Sequence, residues 1–381
     1  MLSGSSKPIF QLMMNLEKNG VQTTMLSDHL SEATLNIHNI LLNKYRVNLD
    51  IQRTNNLNKG LLKSREDVIH DIISWWSDCD LLISTDFLIP WLLSHNNIKL
   101  NTKIIFLGSN NMNFKFRYLI DSGFPALINL YKPSFFSKYI FRGFLLQNLL
   151  NRFDFILTTS NYVKSEMKIL NLNVPIFSLP IGVDVKQYSP LNLSETSFLY
   201  FGWGSGIRGL QDVLKSFEVY SEEYDNSYLN VCLQGQHGPE ESFYANMINK
   251  SRIKNKIHVH FFTENIESLI KSSTAVILPF RIPFGYSQPP LAVLESMSFG
   301  RVVISTNVGC IPEIISHKSD GFLINPNSPN EILDVLMSLD NSVVNNIGSK
   351  AHEKIHNFFS WEIVTPQYIR LFSEILEGFY D

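Results

Sequence analysis

Short apolar runs alternate with amphipathic segments along this chain. The first amphipathic pattern has Ile9, Leu12, Met13 and Leu16 on one face and stops at Gly20, which predicts a helix. Val21 to Leu26 then reads as a strand. So do Val47 to Gln52, Leu81 to Ser84, Lys103 to Leu107, Phe153 to Thr158 and Ile176 to Leu179, and Ser64 to Ser77 has helical spacing. The alternation resumes with strands at Phe198 to Phe201, Asn230 to Gln234, Ile257 to Phe262, Ala275 to Leu278 and Val302 to Ser305. Strands separated by helical patterns predict the α/β class with doubly wound parallel sheets. A length of 381 residues predicts two such domains, each with its own core.

The C-terminal half concentrates its polar residues where strands end. Ala275 to Leu278 runs into a proline-rich loop, and Pro289-Pro290 precedes a short helix carrying Leu291, Leu294 and Met297 and stopping at Gly300. After Val302 to Ser305 comes a turn, and Pro312-Glu313 opens another helix. In open parallel sheets, ligands bind at the edge where the strands end. Glu295 is the odd residue of the short helix, a carboxylate in an apolar segment that needs a partner. Two readings stand: an ion pair with Arg301 or Arg208, or a carboxylate that accepts from vicinal sugar hydroxyls. Upstream, Phe198 to Phe201 leads into Gly202-Trp203-Gly204-Ser205-Gly206-Ile207-Arg208-Gly209. A glycine-rich loop between strand and helix lets backbone N–H groups approach a phosphate.

Composition narrows the classes. Hydrophobic residues make up 44% and charged residues 18%, a globular balance, and the net charge of −3 rules out a chain that is a polyanion binder as a whole. Cys79, Cys232 and Cys310 are far apart, form no zinc spacing and are odd in number, which argues against a secreted disulfide framework. No signal peptide and no bilayer-length apolar run is apparent, so a cytoplasmic protein is expected. Residues 117–150 interleave Arg117, Lys132, Lys138 and Arg142 with many aromatics. They read either as a core-facing helix with a basic side or as a surface for an anionic membrane, which would make the protein peripheral to the inner face of the membrane. Nucleic-acid binding is not expected, because no binding motif accompanies these few cations. Asp78-Cys79-Asp80 reads as a turn at the wrong end of its strand for a metal, and His258 and His260 share one strand face without a third ligand.

These segments resemble family 4 glycosyltransferases, also called group 1, which have the GT-B fold. L-E-S-M-S-F-G-R-V-V-I around Glu295 is similar to that family's second glutamate and the segment after it. V-G-C-I-P-E and Asp320-Gly321-Phe322-Leu323-Ile324 match the segments that follow. Phe153 to Ser160, Pro180-Ile181-Gly182-Val183-Asp184 and Phe359-Ser360-Trp361 resemble the family's inter-domain segments. Gly182 is expected to permit the turn out of the first sheet. The resemblance implies an N-terminal acceptor-side domain over 1–190, a nucleotide-sugar domain over 191–360 and a crossover helix over 361–381. Tyr368, Leu371, Phe372, Ile375 and Leu376 would form the stripe that packs this helix on the first domain.

Departures accompany the match. Ser287 stands where the family has its first glutamate, Trp203 replaces an arginine, and Arg208 stands at the family's lysine. The usual histidine after the Lys103 to Leu107 strand is absent, as is the strand that precedes the first helix in relatives. A start downstream of the true one, or a sheet lacking a central strand, would each account for the latter. The resemblance implies a retaining, metal-independent transfer from a nucleoside-diphosphate sugar to a glycan or lipid-linked acceptor, with no cofactor. Arg208, the Leu291 helix tip and the loop of Gly202, Gly204 and Gly206 would hold the diphosphate. Gly235 would also face the donor, Glu295 the ribose, and Ser287 and Gln288 the sugar. Ser5, Ser109 and Asn110 are candidates on the acceptor side. Two other classes stay open. A sugar-nucleotide epimerase of the same fold fits the second-domain motifs less well. A non-catalytic partner subunit is favoured by Ser287, Trp203, the absent histidine and the missing first strand, and opposed by the intact Arg208 and Glu295.

Overall fold

The computed structural model describes residues 6–27, 50–53, 80–84, 103–108, 147–148, 150–192, 196–202, 206–233, 239–261, 265–283 and 289–380. The expected Ser64 to Ser77 helix, Asp78-Cys79, almost all of the 117–150 stretch, and the candidates Ser5, Ser109, Asn110, Trp203, Gly204, Gly235, Ser287 and Gln288 lie outside them.

The strands are β1 (Thr24–Ser27), β2 (Asp50–Arg53), β3 (Leu81–Ser84), β4 (Lys103–Gly108), β5 (Phe155–Thr158), β6 (Ile176–Ser178), β7 (Thr196–Gly202), β8 (Ser227–Leu233), β9 (Ile257–Phe261), β10 (Ala275–Leu278), β11 (Val302–Thr306) and β12 (Phe322–Ile324). Every pairing between them is parallel. The N-terminal strands form a pair, β1-β2, and a four-stranded sheet in the order β3-β4-β5-β6; among the described residues no strand joins the two. The C-terminal sheet has six strands in the order β12-β11-β10-β7-β8-β9. From β7 the chain steps outward through β8 to β9, then returns to the other side of β7 and steps away through β10, β11 and β12. The order therefore reverses between β7 and β10. That crevice, at the strands' C-terminal ends, is where such sheets bind ligands.

The first helix, Ser6–Lys18, ends as expected at Gly20, whose φ of 83° is left-handed. Val21 does not begin a strand. Its N–H donates to the Leu16 carbonyl at 3.1 Å and Gly20 N–H to Glu17, which wraps Val21 onto the helix end and delays β1 to Thr24. Leu12 and Leu16 are buried as expected, Met13 is only half-buried, and Met14 is buried instead.

The C-terminal helix, Trp361–Leu376, crosses back to the first sheet. Trp361, Val364, Tyr368, Leu371, Phe372 and Ile375 pack with Leu12, Leu16, Ile105, Leu107, Phe155, Leu157 and Ile181. Leu376 is exposed and not part of the stripe, because the helix ends there beyond the sheet contact. Two chain segments link the halves, and they run side by side: Val183 N–H donates to the Phe359 carbonyl at 2.8 Å, and Val183 bridges Ser360. Gly182 is needed here for close approach rather than for a left-handed turn, since a Cβ on it would lie 2.4 Å from the Trp361 ring.

Candidate functional site

The site is built from the two loops that leave β7 and β10, on either side of the switch point. β7 ends at Gly202 with φ 143°, and a Cβ there would lie 2.5 Å from Nη1 of Arg208. Only a hydrogen at this position lets the guanidinium lie against the strand end. Gly206–Arg208 form a single 3₁₀ turn, and Gly209, with φ 70°, caps the helix Leu210–Glu223. A Cβ on Gly209 would sit 2.1 Å from the Pro279 carbonyl oxygen, so the two loops touch through backbone at this point.

The contact continues along both loops. Arg281 N–H donates to the Ile207 carbonyl at 2.9 Å. The Arg208 guanidinium lies 5.9 Å from the Phe280 ring centroid, within cation–π range. The Arg281 side chain donates from Nε to Asp212 Oδ2 at 3.0 Å and from Nη2 to Oδ1 at 2.7 Å, a bidentate pair with side chains only 8% and 4% exposed. Gln211, its amide oriented by its neighbours, accepts from the same guanidinium and donates to the Tyr244 hydroxyl. On the other side, Ser305 and Thr306 at the end of β11 donate their hydroxyls to the carbonyls of Leu278 and Phe280, at 2.7 and 2.6 Å.

The helix Leu291–Ser298 begins after Pro290, which is extended, and among the described residues no side chain caps it. Leu291 packs at the edge of the cluster around the crossing helix, so the helix tip faces the junction of the two halves. Glu295 is half-buried on the same helix. Arg301, one of the two ion-pair partners considered for it, is buried and donates to the carbonyls of Phe299 at 3.1 Å and Ser189 at 2.5 Å. Burial pushes its pKa down.

Beside the helix tip, a cavity of about 490 Å³ separates the two halves. Thr159, Ser178 and Pro180 line it from the end of the first sheet, Pro289 and Glu313 from the second half, and Gln367 from the crossing helix. The Thr159 hydroxyl is buried without a hydrogen-bond partner. Cys310 also lines the cavity, and burial raises its thiol pKa far above the ordinary range. Glu313 spans the gap, its carboxylate accepting from Asn161 N–H at 2.9 Å and Tyr162 N–H at 2.6 Å. Those amides open the helix Asn161–Lys168, whose positive end suits a carboxylate.

Of the candidates read from sequence, the structure describes Gly202, Gly206, Arg208, Leu291 and Glu295. It gathers Gly202, Gly206 and Arg208 at one strand end. Asp212, Arg281, Thr159 and Glu313 were not singled out from sequence as site residues. Arg281 carried a signal, a cation among apolar residues directly after a buried strand, but its partner is 69 positions away. His260, on the edge strand β9, hydrogen-bonds through Nε2 to Asn230 Oδ1 at 3.0 Å. No cluster of metal-ligating side chains occurs among the described residues.

Residues 186–352 match the family model described as Glycosyl transferases group 1. N-acetyl-alpha-D-glucosaminyl L-malate synthase of Bacillus anthracis is 26% identical over 194 residues, 50% of this chain and 48% of that protein. An uncharacterized glycosyltransferase of Methanocaldococcus jannaschii is 27% identical over 192 residues, 48% of this chain and 46% of its own. The chain thus spans about half the length of these curated relatives. Among solved structures, Anabaena HepE in complex with UDP and glucose superposes with a TM-score of 0.72 at 12% identity, over 96% of this chain and 95% of that one. A glycosyltransferase from Rickettsia africae gives 0.71 at 15% identity, over 99% and 97%. These likenesses establish the expected GT-B fold.

Proposed function

We propose, from the premise that residues 186–352 are a group 1 glycosyltransferase domain, that this protein transfers a sugar from a nucleoside-diphosphate sugar to a hydroxyl acceptor, with retention and without a metal. The observation that carries the reading is the position of Arg208. It lies at the reversal between β7 and β10, held against Gly202 and Phe280, where a parallel sheet of this order takes its ligand. As the glycosidic bond breaks, negative charge grows on the departing diphosphate. A guanidinium can meet two phosphate oxygens at once and stabilise that charge. The tip of the Leu291–Ser298 helix adds the positive end of its dipole. Glu295 accepts from the ribose hydroxyls. The acceptor, a glycan or a lipid-linked glycan, enters from the side of the first sheet. Among the described residues no helix is long and apolar enough to cross a membrane.

The test is calorimetric titration with UDP-, GDP- and ADP-sugars, comparing wild type with Arg208→Ala and Glu295→Ala. Binding of one nucleotide class, lost in both variants, supports the reading and identifies the base. Failure of every donor to bind overturns it.

A further inference from the structure

We propose that the buried Asp212–Arg281 pair is a positioning device for the donor diphosphate, acting through Arg208 rather than on the ligand itself. The inference rests on the donor-site reading above.

A buried ion pair is weak evidence for stability, because two charges have left water and an apolar pair of similar volume often does as well. Its particular property is a fixed geometry: a planar fork on a carboxylate admits one arrangement. The question is then what the arrangement fixes. Asp212 lies in the first turn of Leu210–Glu223, four positions after Arg208. Arg281 lies in the loop that leaves β10. Between these two anchors the loops are already in register. Arg281 N–H holds the Ile207 carbonyl, Gly209 abuts the Pro279 carbonyl, and Phe280 lies under the Arg208 guanidinium. Residues 207–212 and 279–281 therefore form one clamp, and the ion pair closes its open end.

Arg281 does not serve as a second phosphate ligand. Its Nε and Nη2 are directed to Asp212, Gln211 accepts from the same group, and the side chain is nearly inaccessible. Its effect reaches the phosphates through the backbone of Ile207 and the ring of Phe280, which together set where Arg208 stands. Without the pair, the backbone contacts at Ile207 and Gly209 would remain, and the end of the clamp at Asp212 would be free to move, loosening the seat of Arg208.

The test compares Arg281→Met, Arg281→Lys and Asp212→Asn with wild type in the full chain. Probes are UDP, GDP and ADP, each beside its nucleoside, followed by ligand-observed NMR, with thermal melting as control. A positioning role weakens the bound diphosphate by about tenfold or more in Arg281→Met while leaving the nucleoside within about twofold, and Arg281→Lys falls between. A purely structural role weakens both probes together, and that result overturns the proposal, as does an unchanged diphosphate affinity. Should Arg281→Met fail to fold, the isosteric Asp212→Asn carries the same comparison. If wild type binds no diphosphate, the donor-site reading falls first and this proposal with it; if wild type binds and the variants match it, only this proposal falls.

Discussion

At the scale of single residues, two glycines in the Arg208 loop do different work. On Gly202 a new Cβ would meet Nη1 of Arg208, the far end of a flexible side chain. Gly202→Ala is therefore expected to displace the guanidinium. It should reduce nucleoside-diphosphate affinity by about tenfold, with a stability loss of about 1–3 kcal/mol for a side chain held in a backbone region otherwise kept for glycine. On Gly209 the new Cβ would meet the Pro279 carbonyl, which is backbone and cannot swing aside. Gly209→Ala should lower both affinity and melting temperature, the latter by more than Gly202→Ala does. Scanning fluorimetry beside calorimetry separates the two, and equal melting temperatures would contradict the assignment. Sequence made these glycines visible as a loop open to phosphate. It could not show that Gly202 makes room for a side chain six positions on. Gly182 was misread for the same reason: its constraint is the Trp361 ring, distant in sequence.

At the scale of elements, five strands of the second sheet were legible, while the three-residue β12 and the contacts between elements were not. Ala275–Leu278 and Val302–Thr306 are buried at every position, and the apolar runs Ala275–Leu278 and Val302–Ile304 marked them directly. β1 was displaced because the end of the first helix holds Val21, a hydrogen-bonding detail no apolar pattern records. The Glu313 clasp was hidden too, since its two sides lie 152 and 151 positions apart. It predicts a local effect. Glu313→Gln keeps the shape and removes the charge; Glu313→Ala removes the acceptor. Amide exchange at Asn161 and Tyr162 should quicken in Glu313→Ala by about fivefold or more, as expected for a charge-assisted bond of ~1–3 kcal/mol, and less in Glu313→Gln. Unchanged exchange in Glu313→Ala would mean that the halves are held without it. The edge strand β9 carries a pH effect of defined sign. Burial, with His258 close by, lowers the pKa of His260 below its ordinary value. The unfolded chain then takes up the proton first as pH falls. Stability is full above the unfolded pKa near ~6.5 and declines as pH drops through the folded value. His260→Asn should flatten the melting temperature of the C-terminal half between about pH 7.5 and 5.5 relative to wild type. A slope as steep as wild type would place the titrating group elsewhere.

At the scale of the molecule, the last helix belongs by packing to the first sheet and by sequence to the second half. Tyr368 shows what this means for stability. Its ring is almost wholly buried among Leu12, Leu16, Phe155 and Phe372, and its hydroxyl donates to the Leu179 carbonyl at 3.4 Å, beside the linker. Burial also raises its pKa, so it stays a neutral donor through the physiological range. Tyr368→Phe removes one long hydrogen bond and should change little, about 1 kcal/mol or less. Tyr368→Ala leaves a void in the cluster that joins the first sheet, the first helix and the crossing helix, a loss of about 3–5 kcal/mol. The cores on the two faces of the second sheet do not include Tyr368. The loss should therefore fall on the N-terminal half alone. Calorimetry of Tyr368→Ala is expected to show an early transition shifted down, with the C-terminal transition where wild type has it. If both transitions moved together, the paired crossings at Val183 and Ser360 would be transmitting stability between the halves, and the molecule would melt as one unit despite its two sheets.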